Sequence, residues 1–389
     1  MAEWYLFQGK GREKELTEED IHKLRDNIKK IESPPWRQFG KTEDFVISES
    51  ETDKEKEKKQ TPEDIDRNRF EQLIERANKK EREIKKGKNF RLSDSKDATE
   101  VRDAVNAAIY LRRPLLVTGR PGSGKTSLAY AIAYELNLGS VLSWSITARS
   151  TLQEGLYRYD AIARLQDANN NHIPNNSPNP DGSHSEEQPI GQYIKLGALG
   201  TAFLPSFLPR VLLIDEIDKS DINLPNDLLN LFEEGQFEIA ELVRRSKNKQ
   251  KDNLFTVQTS DEDIDVTIKG GRVKCYAFPI IVMTSNGERD FPKAFKRRCL
   301  RVKMPDPTVP ELENIVKAHF TEDLFNEKTD EINQLIEHFV PEQGETMDKA
   351  TDQLLNAIYI ITHENSPQDR DQKDRLRDLL MKPLTESDW

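Results

Sequence analysis

The chain has 389 residues, of which 35% are hydrophobic and 33% charged, and its formal net charge is −11. This length predicts about two to three domains, and the acidic balance argues against general nucleic-acid binding through bulk charge. Two cysteines are too few for a disulfide framework and are typical of reduced thiols in a cytosolic protein. The sequence has neither the long apolar run of a transmembrane helix nor the start of a secretory signal.

Residues 1–95 form a charged arm by composition, expected to be partly extended or helical. Mixed runs of Lys, Arg and Glu at 54–59 and 79–83 are typical of solvated helix or disorder. Two clusters of aromatic residues, at 4–7 and 34–39, interrupt the arm. Three interpretations stay open: the clusters dock onto the rest of the chain, bind a partner, or have no specific role.

From about residue 96 the pattern becomes globular. Apolar positions between Val101 and Ile109 have the spacing of a helix face, and the helix must end by Pro114. The apolar run 114–118 then predicts a buried strand. Residues 119–126 (GRPGSGKT) follow it, and the apolar spacing of 127–136 predicts another helix.

This strand–loop–helix segment matches the phosphate-loop pattern G-x-x-x-x-G-K-[ST]. Glycines let backbone N–H groups close around phosphate oxygens, and the helix N-terminus adds positive dipole there. A glycine-rich turn that merely contains a lysine is the alternative. We predict nucleotide binding, with Lys125 on the outer phosphates and Thr126 on Mg²⁺. The predicted binding residues are Gly119, Pro121, Gly122, Ser123, Gly124, Lys125, Thr126 and Ser127.

The remaining pattern alternates strands and helices. Apolar runs at 141–146, 211–214, 280–283 and 300–302 predict further strands of a parallel sheet covered on both faces. The polar stretch 169–188 predicts an exposed loop, whose two histidines lack the spacing of a metal site. Three helical stripes at 308–382 predict a small helical domain before a short tail at 383–389.

Two acids, Asp215 and Glu216, end the strand predicted at 211–214. Downstream of a phosphate loop, we expect Asp215 to hold the metal with Thr126, and Glu216 to orient or deprotonate the attacking water. An aspartate that caps the following helix is the alternative.

Polar and basic residues follow the next predicted strand. Asn286 ends it, where open α/β sheets place ligand groups, so it could reach the γ-phosphate or the water. A turn asparagine before Gly287 is the alternative. Arg297 and Arg298 precede the last predicted strand and suit charge developing on a phosphoryl group. A surface basic patch is the alternative for the arginines.

Together, these motifs resemble the AAA+ ATPases over about residues 98–365. The phrases STLQEGLY at 150–157, LGAL at 196–199, DEIDK at 215–219 and LLNLFEEG at 228–235 resemble the MoxR-like branch. The resemblance implies an α/β fold: a P-loop AAA+ αβα sandwich at 96–307, then an all-α lid at 308–382.

The resemblance also implies a homo-oligomer, usually a hexamer, with ATP and Mg²⁺ between subunits. Asn286 would be the sensor residue, and Arg298, with Arg297 as the other candidate, the finger that enters a neighbour's site. The branch typically carries an insert after the second strand, for which 147–200 has room, and a β-hairpin, here within 237–277. Many members place an arginine in the lid; here the matching region has none, and Lys349 could substitute.

The leading functional hypothesis is a cytoplasmic ATPase ring that remodels or loads a partner protein. Relatives often act with proteins that carry a von Willebrand factor A domain, and related modules occur in bacterial conflict and defence systems. Two alternatives stay open: an ATP-gated signalling or scaffold switch with little turnover, and a nucleic-acid motor favoured only by the basic cluster 244–251. We expect deletion of residues 1–90 to leave nucleotide binding intact.

Overall fold

The computed structural model describes residues 4–12, 15–41, 61–171, 189–247, 253–320, 322–340, 349–363, 365–367 and 369–383. The charged run 54–59, both loop histidines and most of the loop predicted at 169–188 lie outside these ranges. The strands of the described residues are β1 (Leu115–Thr118), β2 (Leu142–Ser145), β3 (Tyr157–Tyr159), β4 (Ile194–Leu196), β5 (Val211–Asp215), β6 (Gln236–Glu238), β7 (Leu254–Gln258), β8 (Asp265–Lys269), β9 (Arg272–Lys274), β10 (Ile280–Ser285) and β11 (Leu300–Lys303).

Helices cover the sheet and form the C-terminal part of the chain. Short 3₁₀ helices lie at Pro35–Arg37, Ile190–Tyr193 and Ile217–Lys219. The α-helices are α1 (Glu18–Lys29), α2 (Pro62–Asn78), α3 (Glu81–Asn89), α4 (Lys96–Leu111), α5 (Lys125–Glu135), α6 (Leu152–Leu156), α7 (Ala161–Asn171), α8 (Ala198–Ala202), α9 (Leu224–Glu234), α10 (Ala240–Ser246), α11 (Lys293–Arg298), α12 (Val309–His319), α13 (Glu322–Glu327), α14 (Thr329–Phe339), α15 (Thr351–Thr362) and α16 (Arg370–Leu380). Among the residues described, no helix is long and apolar enough to cross a membrane.

The predicted parallel sheet is present, with five strands in the order β11–β1–β10–β5–β2. Its central strands β1, β5 and β10 are apolar up to their polar carboxyl ends because helices cover both faces. Leu212 and Ile214 of β5 belong to the apolar cluster on one face, whereas Leu213 belongs to the cluster on the other. The strand β10 lies between β1 and β5, so three carboxyl ends meet at one edge of the sheet.

The segment 237–277 contains an antiparallel pair, β7 with β8. The strands β8 and β9 flank Gly270 and Gly271, and both glycines have positive φ. The second of these strands, β9, pairs with β6 rather than with β8. The pair β7–β8 extends a small sheet that also contains β3 and β4.

The predicted helical part packs around its own apolar cluster. Leu312 and Val316 of α12, Ile336 of α14 and Ile358 of α15 are buried in it. The three predicted stripes therefore face one another, as expected for a small helical bundle. This part confirms the predicted fold class, an α/β sandwich followed by a helical domain.

The N-terminal segment packs on the α/β core. Phe7 is fully buried, and the Asn106 side chain accepts the Phe7 N–H and donates to its carbonyl. Of the second aromatic cluster, Phe39 stacks on Phe278 while Trp36 is 74% exposed. Among the three interpretations, the structure therefore shows docking within the chain for Phe7 and Phe39.

A buried ion pair fastens the loop between β7 and β8 to the base of the sheet. Both Arg210 terminal nitrogens donate to the carboxylate of Asp261, over 2.7 and 2.9 Å. The two side chains are only 6% and 10% exposed. Removing one partner would leave a buried charge unpaired.

We expect Asp261→Asn to lower the free energy of unfolding by about 3 kcal/mol or more, measured by urea denaturation followed by circular dichroism. The control is Glu238→Gln, which breaks the exposed pair with Arg272 and should cost less than about 1 kcal/mol. Equal losses in the two variants would contradict the structural role of the buried pair.

Candidate nucleotide site

A cavity of about 640 Å³ lies where the carboxyl ends of β1, β5 and β10 face the helical domain. Its walls come from four parts of the chain: the phosphate loop, the sheet edge, the segment after α3 and the helices of the C-terminal part. The lining includes Lys86, Asn89, Phe90, Arg91, Leu92, residues 121–127, Asp215, Glu216, Thr284, Asn286, Glu311, Ile315, His319, residues 350–353 and Leu355. Every predicted phosphate-loop residue except Gly119 is in this lining.

The phosphate loop has the backbone that its glycines permit. Gly122 and Gly124 have φ of 75° and 85°, values that favour glycine, and Lys125 begins α5 directly after them. A Cβ on Gly122 would lie 2.7 Å from the Thr351 backbone nitrogen. The glycine is therefore required both for the loop conformation and for its contact with the helical domain.

The amine of Lys125 is held inside the loop. It donates to the Gly119 and Arg120 carbonyl oxygens over 2.8 and 2.6 Å. Burial lowers the pKa of Lys125, while the nearby carboxylates of Asp218 and Asp215 oppose this shift. A phosphate group in the loop would favour the charged amine in the same way.

Asp215 and the hydroxyls around it form the predicted metal-binding set. Thr126 Oγ1 donates to Asp215 Oδ1 over 3.0 Å, and Thr284 Oγ1 donates to the same oxygen over 2.5 Å. The described residues contain no group of three or more metal-binding side chains. One carboxylate and one hydroxyl nevertheless fit Mg²⁺, which commonly binds one or two carboxylates together with substrate phosphates and water.

Glu216 lies beside this set. Its backbone has φ of 59°, an unusual value for a residue other than glycine, and its N–H donates to Thr284 Oγ1 over 2.9 Å. Its carboxylate lines the cavity and accepts a hydrogen bond from Lys219 Nζ over 2.8 Å. The bond to Glu216 raises the pKa of Lys219.

Asn286 also lines the cavity, on the loop that follows β10. Its backbone N–H donates to Asp218 Oδ2 over 2.9 Å, which ties this loop to the segment after β5. The structure thus brings Lys125, Thr126, Asp215, Glu216 and Asn286 to one cavity, as the motifs predict.

The two predicted finger arginines lie elsewhere. Arg297 and Arg298 end α11 and do not line the cavity. The guanidinium of Arg298 donates to the Glu233 carboxylate on α9, and this bond raises the pKa of Arg298 and lowers that of Glu233. Within one subunit, neither arginine can assist chemistry in the cavity.

Lys349 does not reach the cavity either, contrary to the expected contact with nucleotide. Its amine donates to the His338 carbonyl over 2.6 Å, at the end of α14. The lysine turns there because a cation is favourable near the free carbonyls of a helix C-terminus. The lid instead faces the cavity with residues 350–353 and with His319.

Other lining residues carry no motif in the sequence. Thr284 directly follows the apolar run 280–283, and no motif in the sequence indicates that its hydroxyl bonds to Asp215. Asn89 and Phe90 belong to a charged segment with little apolar content. The Asn89 amide nevertheless donates to the Ala318 carbonyl over 2.8 Å and joins this segment to the helical domain.

Residues 114–299 match a family model described as AAA domain (dynein-related subfamily). This part of the chain is therefore similar to an AAA domain. No curated protein is similar enough in sequence to match the chain.

Two solved structures show the extent of structural likeness. NtrX from Brucella abortus, in complex with ADP, has 14% identity and a TM-score of 0.38, with 81% of this chain and 60% of NtrX covered. The RuvB Holliday junction branch migration motor of Thermotoga maritima has 13% identity and a TM-score of 0.34. That match covers 74% of this chain and 70% of the RuvB chain.

The end of the arm, at residues 86–90, contributes to the wall of the cavity. This changes the result that we expect from deletion of residues 1–90. Deleting residues 1–90 would remove Lys86, Asn89 and Phe90 from the wall of the candidate nucleotide site. It would also remove Phe70 and Leu73, which are buried in the core with 2% and 3% of their surface exposed. We now expect this deletion to weaken nucleotide binding.

A point variant tests the same wall without truncation. We expect Phe90→Ala to raise the Kd for Mg-ADP about 10-fold, because it removes apolar surface equivalent to about 1.4 kcal/mol, measured by titration with a fluorescent nucleotide. Phe70→Ala is the control, since Phe70 is buried in the same segment but does not line the cavity. Wild-type affinity in Phe90→Ala would contradict a role for this wall.

Proposed function

We propose that the AAA+ domain hydrolyses ATP with Mg²⁺ at the cavity below the lid. The observation that carries the proposal is the hydrogen-bonded set Thr126–Asp215–Thr284, next to Lys125 and Glu216. In this proposal the Asp215 carboxylate, hydrogen-bonded to Thr126 of the phosphate loop and next to Glu216 in the chain, binds the cation, and Glu216 is the general base. No described residue has an evident contact that would distinguish adenine from guanine. The choice of ATP over GTP therefore rests on the resemblance to the AAA+ ATPases.

Each residue has a separable task in this proposal. Lys125 and the loop N–H groups would hold the outer phosphates, and Thr126 and Asp215 would hold the metal, which would neutralise charge developing on the phosphates. Glu216 takes a proton from the attacking water, for which it must leave Lys219. Asn286 orients that water or the γ-phosphate from the loop that follows β10.

We further propose a homo-oligomeric ring, a hexamer by family resemblance, in which Arg298 of one subunit completes the site of the next. Support comes from the position of Arg298 outside its own cavity, on the exposed end of α11. Glu233 keeps the guanidinium in place until a phosphate competes for it. Arg297 is the second candidate for the same role.

The work done by the ring is proposed from the MoxR-like resemblance alone: remodelling or loading of a partner protein, of which a von Willebrand factor A-domain protein is one example. The role would suit a conflict or defence system. A nucleic-acid motor is less favoured, since the chain has a net charge of −11. Of the basic cluster, Arg244 and Arg245 lie on α10, while residues 248–251 are outside the described ranges.

We expect Glu216→Gln to lower the ATP turnover rate by about 100-fold or more, because the amide cannot accept the proton, with binding of Mg-ATP retained. Steady-state phosphate release and a nucleotide titration measure the two effects. Glu234→Gln is the control, an exposed acid of α9 that does not line the cavity. Equal turnover in wild type and Glu216→Gln would favour the ATP-gated switch instead.

Completion of the site between subunits is tested by mixing two inactive variants. Lys125→Ala keeps the finger and loses its own site, whereas Arg298→Ala keeps the site and loses the finger. The ATP turnover rate of each variant alone should be lower than that of the wild type by roughly 10³-fold. A mixture of the two should regain a substantial part of the wild-type rate. Arg301→Ala, a neighbouring exposed arginine, is the control. A mixture as inactive as its components would contradict action in trans.

A further inference from the structure

The carboxylate of Asp218 is the one charged group in the DEIDK segment that the proposed chemistry does not use. It is buried, with 5% of the residue exposed. Oδ2 accepts two backbone hydrogen bonds, from the Asn286 N–H over 2.9 Å and from the Glu288 N–H over 3.2 Å. Both donors lie on the loop after β10, so the carboxylate spans the gap between two neighbouring loops.

Asp218 holds the backbone of this loop at residues 286 and 288, whereas Arg289, one residue farther along, donates from its side chain to the Ser220 carbonyl over 2.7 Å. Gly287 between the two donors has φ of 81°, and a Cβ there would meet nothing within 4 Å. The remaining bond of this turn is local, from the Gly287 N–H to Ser285 Oγ over 3.0 Å. Two bonds to one charged acceptor therefore set the direction in which Asn286 leaves the sheet.

A purely local role for Asp218 does not account for these contacts. An aspartate after a strand commonly caps the next helix by accepting its N–H groups. Here the short 3₁₀ helix Ile217–Lys219 has no side-chain cap, and the carboxylate bonds only to the other loop. The carboxylate also lies near enough to Lys125 to be the largest of the charges that oppose the lowering of its pKa.

We propose that Asp218 is a positioning residue, which holds the Asn286 side chain in the orientation needed for hydrolysis. It acts through the backbone of residues 286–288 and does not touch the nucleotide. The inference rests on the proposed function, because it assumes that Asn286 contributes to turnover.

A double-mutant cycle tests the inference in the full chain. We expect Asp218→Ala to lower kcat for Mg-ATP about 10-fold, with KM changed by less than about 2-fold, since the phosphate and metal groups stay in place. Asn286→Ala should cause a similar or larger loss. The double variant should then be no slower than Asn286→Ala, because Asp218 has nothing left to position. Asp221→Ala, an exposed acid three residues on, is the control and should keep the wild-type rate.

The possible results distinguish a failure of this inference from a failure of the proposed role of Asn286 in hydrolysis. Wild-type turnover in Asn286→Ala would overturn the role of Asn286 and the inference with it. A loss in Asn286→Ala accompanied by wild-type kcat in Asp218→Ala, or by additive losses, would overturn the inference alone. If Asp218→Ala does not fold, the cycle is run with Asp218→Asn, whose neutral oxygen accepts the same N–H groups more weakly. We expect Asp218→Asn to lower kcat about 3-fold in the wild-type background and to leave kcat unchanged in the Asn286→Ala background.

Discussion

The pairing of β10 with both β1 and β5 is the constraint on which the candidate site depends. It places Thr284 within hydrogen-bond distance of Asp215 and lets one hydroxyl serve both Asp215 and the Glu216 backbone. Since all three strands are parallel and buried, their carboxyl ends cannot shift separately without breaking the core. The phosphate loop, the acids and Asn286 therefore share one cavity as a result of strand order.

The same arrangement divides the site into fixed and adjustable parts. The sheet edge and the phosphate loop are fixed by backbone pairing and by the close approach of Gly122 to Thr351. The groups that we propose to respond to nucleotide, Glu216 and Arg298, are instead held by single ion pairs with Lys219 and Glu233. Partly exposed pairs of this kind are weak, so a phosphate or a water can replace either partner at small cost.

Much of this was predictable because its signals are local. Continuous apolar runs predict the five strands of the central sheet, and a phosphate loop followed by Asp215 predicts the acid beside Thr126. The wall at Phe90 was not predictable, since one aromatic in a charged segment gives no periodic pattern. For Lys349 the sequence predicts a role that the structure does not support. A lysine suits a phosphate sensor, but the packing of α14 and α15 directs its amine to the His338 carbonyl.

The most direct test of the account is the Mg²⁺-dependent ATPase rate per subunit, measured over a wide range of protein concentration. We predict a rate that vanishes when EDTA removes the metal and that rises with concentration to a plateau, because neighbouring subunits complete each site. Absence of metal-dependent turnover at every concentration would contradict it.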